Sequence, residues 1–190
     1  VGTAVDAVTA TTRGSLEPYR GALTLAEETA AGHQPWSDYD AFRNRNIPVL
    51  FISDGQNRRY HTPTDEVAGL DVSKLTLETR LVLDLVWALA NASQTPAFKV
   101  AGTSHPIDAN TVVPVLEAAL AAGGMVDSLG LSAATRTKLD ADLVATKAVQ
   151  TKLTGGGTAS PQDVAALRGA VQRVMCHAAG QRSEGTCNSF

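Results

Sequence analysis

Apolar positions fall into two regimes along the 190 residues. In the first half the clearest pattern is the continuous run Ile47-Pro48-Val49-Leu50-Phe51-Ile52-Ser53, bounded by Asn46 and Asp54-Gly55. A short apolar run without alternation, rich in β-branched and aromatic side chains, predicts a strand covered on both faces in a parallel or mixed sheet. Residues 3–12, small and rich in Val, Ala and Thr, permit a second strand. Leu16, Tyr19, Leu23 and Ala26 recur at helical spacing and predict a helix over 15–31 with Gly32 as its stop, followed by a polar loop over 33–40. Further on, Leu75, Val82, Val86 and Leu89 line one face of a helix over 72–91 that Asp71 or Ser73 can cap.

Beyond Asn91-Ala92-Ser93 the pattern becomes helical throughout. Residues 95–106 read as a linker, with room for a short strand at 98–100. A helix over 111–122 carries Pro114, which its missing N–H restricts to a first turn, and stops at Gly123-Gly124. A second helix over 132–153 is closed by Gly155-Gly156-Gly157. The third is marked by Ser160 as N-cap, Pro161 at the first helical position and Asp163 three residues after the cap. Val164, Leu167, Val171 and Val174 then give it an apolar face. Three amphipathic helices joined by Gly-rich turns make a small bundle.

Composition narrows the class. With 44% hydrophobic and 18% charged residues, the chain is an ordinary globular protein able to bury one good core. A formal charge of −3 without clustered Lys or Arg leaves no footprint for nucleic acid or for an anionic membrane surface. The longest apolar stretch, 81–92, is too short to span a bilayer and contains Asp84. No signal peptide is visible at the start, and the missing initiator Met suggests a processed or truncated chain. Cys176 and Cys187 stand close together: a disulfide there fits an oxidising compartment, and two free thiols are the other reading.

Candidate chemistry collects around the apolar run. Upstream stands Ser37-Asp38-Tyr39-Asp40-Ala41-Phe42, and just downstream Tyr60-His61-Thr62-Pro63-Thr64-Asp65. A loop after the C-terminal end of a buried strand is where ligand sites collect in open α/β sheets. Taken alone, His61 reads as a surface or hydrogen-bonded histidine at least as readily as a metal ligand. In order, however, Ser-Asp-Tyr-x-x-Phe, then Ile-Pro and a strand, then Tyr-His-Thr-Pro-x-Asp resembles the last third of the catalytic domain of the zinc aminopeptidase and glutamate carboxypeptidase superfamily (peptidase family M28). Glutaminyl cyclases and the transferrin receptor ectodomain share that superfamily. The resemblance spans roughly residues 15–92.

The resemblance implies a fold class and roles. It implies an α/β fold, a partial zinc-exopeptidase (phosphorylase/hydrolase-like) sheet-and-helix fragment over 1–94, joined by the linker 95–106 to a small all-α C-terminal bundle over 107–190. His61 takes the place of a zinc ligand, a role suited to a neutral imidazole. Tyr60 matches a tyrosine that contacts substrate or the tetrahedral intermediate; a phenol packed at the rim is the alternative. Ser37 and Asp38 match a pair that forms the pocket wall. Asp65 is either a partner hydrogen-bonded behind the ligand loop or a turn-forming carboxylate. Tyr39 stands where many relatives have His and takes no ligand role. Glu27-Glu28 looks like the family's catalytic pair, but it lies in a predicted helix too close to His61 and reads as a solvated face.

No His-x-Asp pair occurs in the chain, and His33, His105 and His177 lack ligand-like spacing to His61. The expected function is therefore the C-terminal part of a secreted or periplasmic zinc exopeptidase, an aminopeptidase acting on peptide substrates. One or two zinc ions would be held only with a missing N-terminal part of the same protein, not tightly by this chain alone, which by itself would be inactive. The alternatives are a non-catalytic binding or structural module on the same scaffold and a glutaminyl cyclase-like enzyme. Thr62-Pro63-Thr64-Asp65 favours the peptidases over the cyclases, and no Gly-x-Ser-x-Gly elbow supports a serine hydrolase.

Overall fold

A computed structural model describes residues 2–12, 14–16, 18–22, 37–55, 58–98, 106–180 and 182–190. Every regular element among them is helical: α1 (Gly2–Thr12), α2 (Tyr39–Arg43), a 3-10 turn (Val67–Gly69), α3 (Val72–Ala90), α4 (Pro106–Leu120), α5 (Met125–Ser128), α6 (Ala133–Thr154), α7 (Pro161–Ala179) and α8 (Glu184–Asn188). The expected α/β sheet-and-helix fragment is thereby corrected, since no strand occurs among the described residues. None of these helices is long and apolar enough to cross a membrane. Two compact units are present, one of residues 1–19 and 61–98, the other of residues 20–60 and 99–190.

The first unit is built on α1 and α3. Residues 3–12 form part of a helix rather than the permitted strand. Val5, Val8, Thr9 and Thr12 are its half-buried positions, a helical spacing, and alanine favours the helix locally. Thr12 Oγ1 donates to Asp84 Oδ2 of α3 at 2.7 Å. Gly14 follows in a left-handed conformation (φ 56°), where an added Cβ would meet Leu77 at 3.2 Å.

Helix α3 starts where its cap dictates, with the Asp71 carboxylate accepting from the Lys74 N–H at 2.9 Å. Its buried stripe differs from the predicted one. Leu81 and Leu85 are buried and Leu77 is half-buried, whereas Leu75 and Val86 are exposed. With Val72, Leu83 and Trp87 also open to solvent, α3 is apolar on two faces, and no single stripe could be selected from spacing alone.

The run at 47–53 is the second correction. Residues 47–55 have no regular structure, and Ile47, Leu50, Phe51 and Ile52 are 39–50% exposed. A strand buried on both faces requires neighbouring strands for its backbone groups and layers above and below for its side chains. Among the described residues neither is supplied. Residues 15, 16 and 18–22, within the predicted helix 15–31, are not helical; most of the remainder of that segment lies outside the described residues. So do residues 99–100 of the short strand allowed at 98–100.

The second unit holds the bundle of α4, α6 and α7, with α5 and α8 at its ends. Its interior is a continuous cluster that includes Ala109, Val112 and Leu116 of α4, Val126 of α5, Leu139, Val149 and Leu153 of α6, and Leu167, Ala170 and Val174 of α7. The helix starts follow local chemistry. Ser132 caps α6 through the Thr135 N–H, and Ser160 with Asp163 forms a reciprocal capping box ahead of Pro161. Gly180 closes α7 in a left-handed conformation (φ 62°).

Helix α4 begins at Pro106, five residues before the expected start, which puts Pro114 in the helix interior. An interior proline costs about 3 kcal/mol relative to alanine. Burial of Ala109, Val112, Val113, Leu116 and Ala119 on this helix offsets it. Two contacts also pin residues 20–22 to α4: the Ala22 N–H donates to the buried Asp108 carboxylate at 2.6 Å, and Thr111 Oγ1 donates to the Arg20 carbonyl.

Candidate functional site

Local sequence shapes the loop that carries His61. The Asp65 N–H donates to the Thr62 carbonyl at 3.1 Å, closing a four-residue turn with Pro63 at its second position, where a fixed φ is favourable. The hydroxyls of Thr62 and Thr64 pair at 2.9 Å. His61, immediately before the turn, is exposed and has a left-handed backbone (φ 60°), a region that histidine enters more readily than most non-glycine residues. Tyr60 beside it is 37% exposed. What Asp65 contributes to this turn is its backbone amide.

Ser37 and Asp38 lie at the entry to α2 and are exposed. The Asp38 carbonyl accepts from the Ala41 N–H at 3.2 Å, but its carboxylate makes no capping bond. Tyr39, by contrast, is buried. Its ring meets Phe51 edge-on at 5.3 Å between centroids, and the Arg43 guanidinium lies 5.2 Å from its ring centre. Arg43 is in turn held by Asp40, with Nε donating to Oδ1 at 3.0 Å. Tyr39 thus packs against Phe51, inside the apolar run.

Ser37, Asp38 and Tyr60 fall within the second unit, and His61 and Asp65 within the first. Glu27, Glu28, His33 and His105 lie outside the described residues. His177 is buried in the bundle, where Nε2 shares a hydrogen bond with Asn188 Oδ1 at 3.1 Å. Among the described residues, no three His, Cys, Asp or Glu side chains come together as a metal site. A zinc centre needs about three protein ligands beside an open position. The described residues therefore do not make up a complete centre.

The densest polar constellation is one that sequence spacing did not single out. Glu184 Oε2 accepts from the Ser132 N–H at 3.1 Å, from Ser132 Oγ at 2.6 Å and from Thr135 Oγ1 at 2.5 Å. The Ser132 hydroxyl, the Thr135 hydroxyl and the Ser132 amide, in that order, hold the Glu184 carboxyl down to about 2, with the nearby His177 adding a small attraction. Asn188 Nδ2 donates to Thr135 Oγ1 at 2.9 Å, which links this carboxylate to His177. Cys176 and Cys187 form a disulfide across the same region. The helix start at Ser132 was legible; that a glutamate 52 residues later would reach it was not.

The model of peptidase family M28 matches residues 2–86, a little under half of the chain, and the chain is similar to that family over this segment. Peptidases of the family are typically zinc-dependent. No curated protein and no solved structure matches the chain.

Proposed function

We propose that the chain contributes the late part of a zinc-dependent aminopeptidase, with His61 as one metal ligand. The observation that carries this reading is the coincidence of the family match over 2–86 with an exposed His61 on the turn-bounded Tyr60-His61-Thr62-Pro63 loop. The substrate class is peptides with a free N-terminus, and the reaction is hydrolysis of the first peptide bond. Tyr60 supplies a phenolic donor to substrate, and Ser37 and Asp38 form a wall of the pocket. The ligands that complete the metal centre are proposed to come from a preceding part of the same protein, and a secreted or periplasmic location accords with the disulfide.

The test is His61→Ala in the complete protein, purified with its metal. Bound zinc measured by atomic emission and hydrolysis of an aminoacyl amide should both fall well below the unsubstituted protein. Zinc content and activity both left unchanged would end the assignment of His61.

A further inference from the structure

Helix α8 spans five residues, too few to persist as an isolated helix in water. Its position depends on what holds it, and two chemically separate restraints do so. One is covalent: Cys187, fully buried, is bonded to Cys176 of α7. The other is the polar network. Glu184 accepts three hydrogen bonds from the start of α6, Asn188 bridges Thr135 and His177, and Arg173 Nη1 donates to the Asn188 carbonyl at 3.4 Å.

The network does not use the sulfur atoms. The groups that α8 meets sit at the start of α6 and on α7, and none of their hydrogen bonds runs through the disulfide. Thr135 is buried in the α6 start that Ser132 caps, and Arg173 is held by Asp142 through two bonds, Nε to Oδ2 at 2.6 Å and Nη2 to Oδ1 at 2.8 Å. Removing Glu184 or Asn188 leaves buried polar groups such as Thr135 and His177 short of a partner, a cost that opposes opening. Cleaving the disulfide leaves each of these bonds in place.

We infer that residues 182–190 form a latch with two independent locks, the Cys176–Cys187 disulfide and the Glu184/Asn188 hydrogen-bond network, and that the latch opens only when both are released. A dithiol reductant supplies the first release: two electrons and two protons convert the bridge to the Cys176 and Cys187 thiols, and the reductant leaves as its own disulfide. While the network stays intact the two thiols remain adjacent, so a low-molecular-weight disulfide added after the reductant is removed re-forms the bridge by thiol–disulfide exchange, taking up the two electrons and two protons and leaving as its own thiols. With the network also broken, the tail leaves and uncovers Thr135, Arg173 and His177.

Amide hydrogen exchange on the full chain tests this, comparing residues 184–188 with residues 139–149 of α6 as a control for folding. Four samples are needed: the unsubstituted protein and the Glu184→Gln/Asn188→Ala variant, each oxidised and each fully reduced with dithiothreitol. Exchange at 184–188 should change by less than about 3-fold in the first three, and rise by at least about 10-fold only in the reduced variant. Equal acceleration in the reduced unsubstituted protein would show the disulfide to be the only lock. A reduced variant that stays slow would show that the network holds nothing. Should 139–149 also exchange fast in the variant, Thr135→Val in a Cys176→Ser/Cys187→Ser background carries the same comparison, with the same two outcomes against the proposal.

Discussion

Arg173 of α7 and Asp142 of α6 form a two-bond ion pair inside the bundle, with 6% and 12% of their side-chain surfaces exposed. The pair joins two of the three long helices at a place where the apolar cluster gives way to the polar end. Removing one member leaves the other charged, dehydrated and unmatched, which matters more than the attraction lost. Arg173→Ala should lower stability by about 3–5 kcal/mol. The double variant Arg173→Met/Asp142→Leu should lose much less. Urea unfolding followed by circular dichroism measures both, and equal losses would argue against an uncompensated charge as the cause.

Leu116 is fully buried on α4, while Leu83 on α3 is 63% exposed. The same substitution should therefore have very different effects. Leu116→Ala removes packed methyl groups and leaves a cavity, costing about 2–5 kcal/mol. Leu83→Ala should stay within about 0.5 kcal/mol. Chemical unfolding of the two variants side by side checks the burial assigned to each.

Two carboxyls of the bundle are held below their ordinary range. Asp163 is lowered from 3.8 to about 2, first by its hydrogen bond to Lys152 and then by the backbone and hydroxyl of Ser160. Glu184 is lowered from 4.5 to about 2 by the start of α6. A carboxyl depressed on folding stabilises above its unfolded value, and that contribution disappears as pH falls through its folded value. Stability from these groups should be level above about pH 5 and decline from there toward pH 2. Thermal unfolding at pH 6, 4 and 2.5 would show this, and Glu184→Gln should reduce the decline; an unchanged slope in that variant would remove Glu184 from the account.

Tyr60 is proposed to contact substrate rather than to hold metal, and the two can be separated. Tyr60→Phe in the complete peptidase should keep its zinc and lose about 10²–10³-fold in kcat, the loss typical of one donor to a developing oxyanion. Kinetics with a chromogenic aminoacyl amide, alongside metal analysis, tests it. An unchanged kcat would leave Tyr60 as a rim residue.

Much of the helical architecture could be read from residue order. Ser160-Pro161 with Asp163 marked the start of α7, and Asp71 or Ser73 that of α3, because a cap is a contact between residues two or three positions apart. The candidate loop was legible for a similar reason, since Thr62, Pro63, Thr64 and Asp65 form their turn with one another. Pro114 misled because its penalty is local and known, while the burial of its helix that outweighs it is supplied by packing against three other helices. The α3 stripe was misread because its leucines and valines surround the helix, and only packing against α1 decides which of them are covered.

By itself the sequence determined the similarity of residues 2–86 to peptidase family M28, the capped helix starts and the turn beside His61, all of which rest on short-range order or on a motif. Tertiary structure alone decided three things: that residues 47–53 form no strand and leave Ile47, Leu50, Phe51 and Ile52 exposed, that Glu184 reaches the start of α6, and that Cys176 and Cys187 are joined. The physical reason is common to all three. A buried strand, a cap supplied from a distance and a crosslink each need a partner that the chain's own neighbourhood does not specify, so the local pattern states what a segment could become and the surrounding structure selects the result.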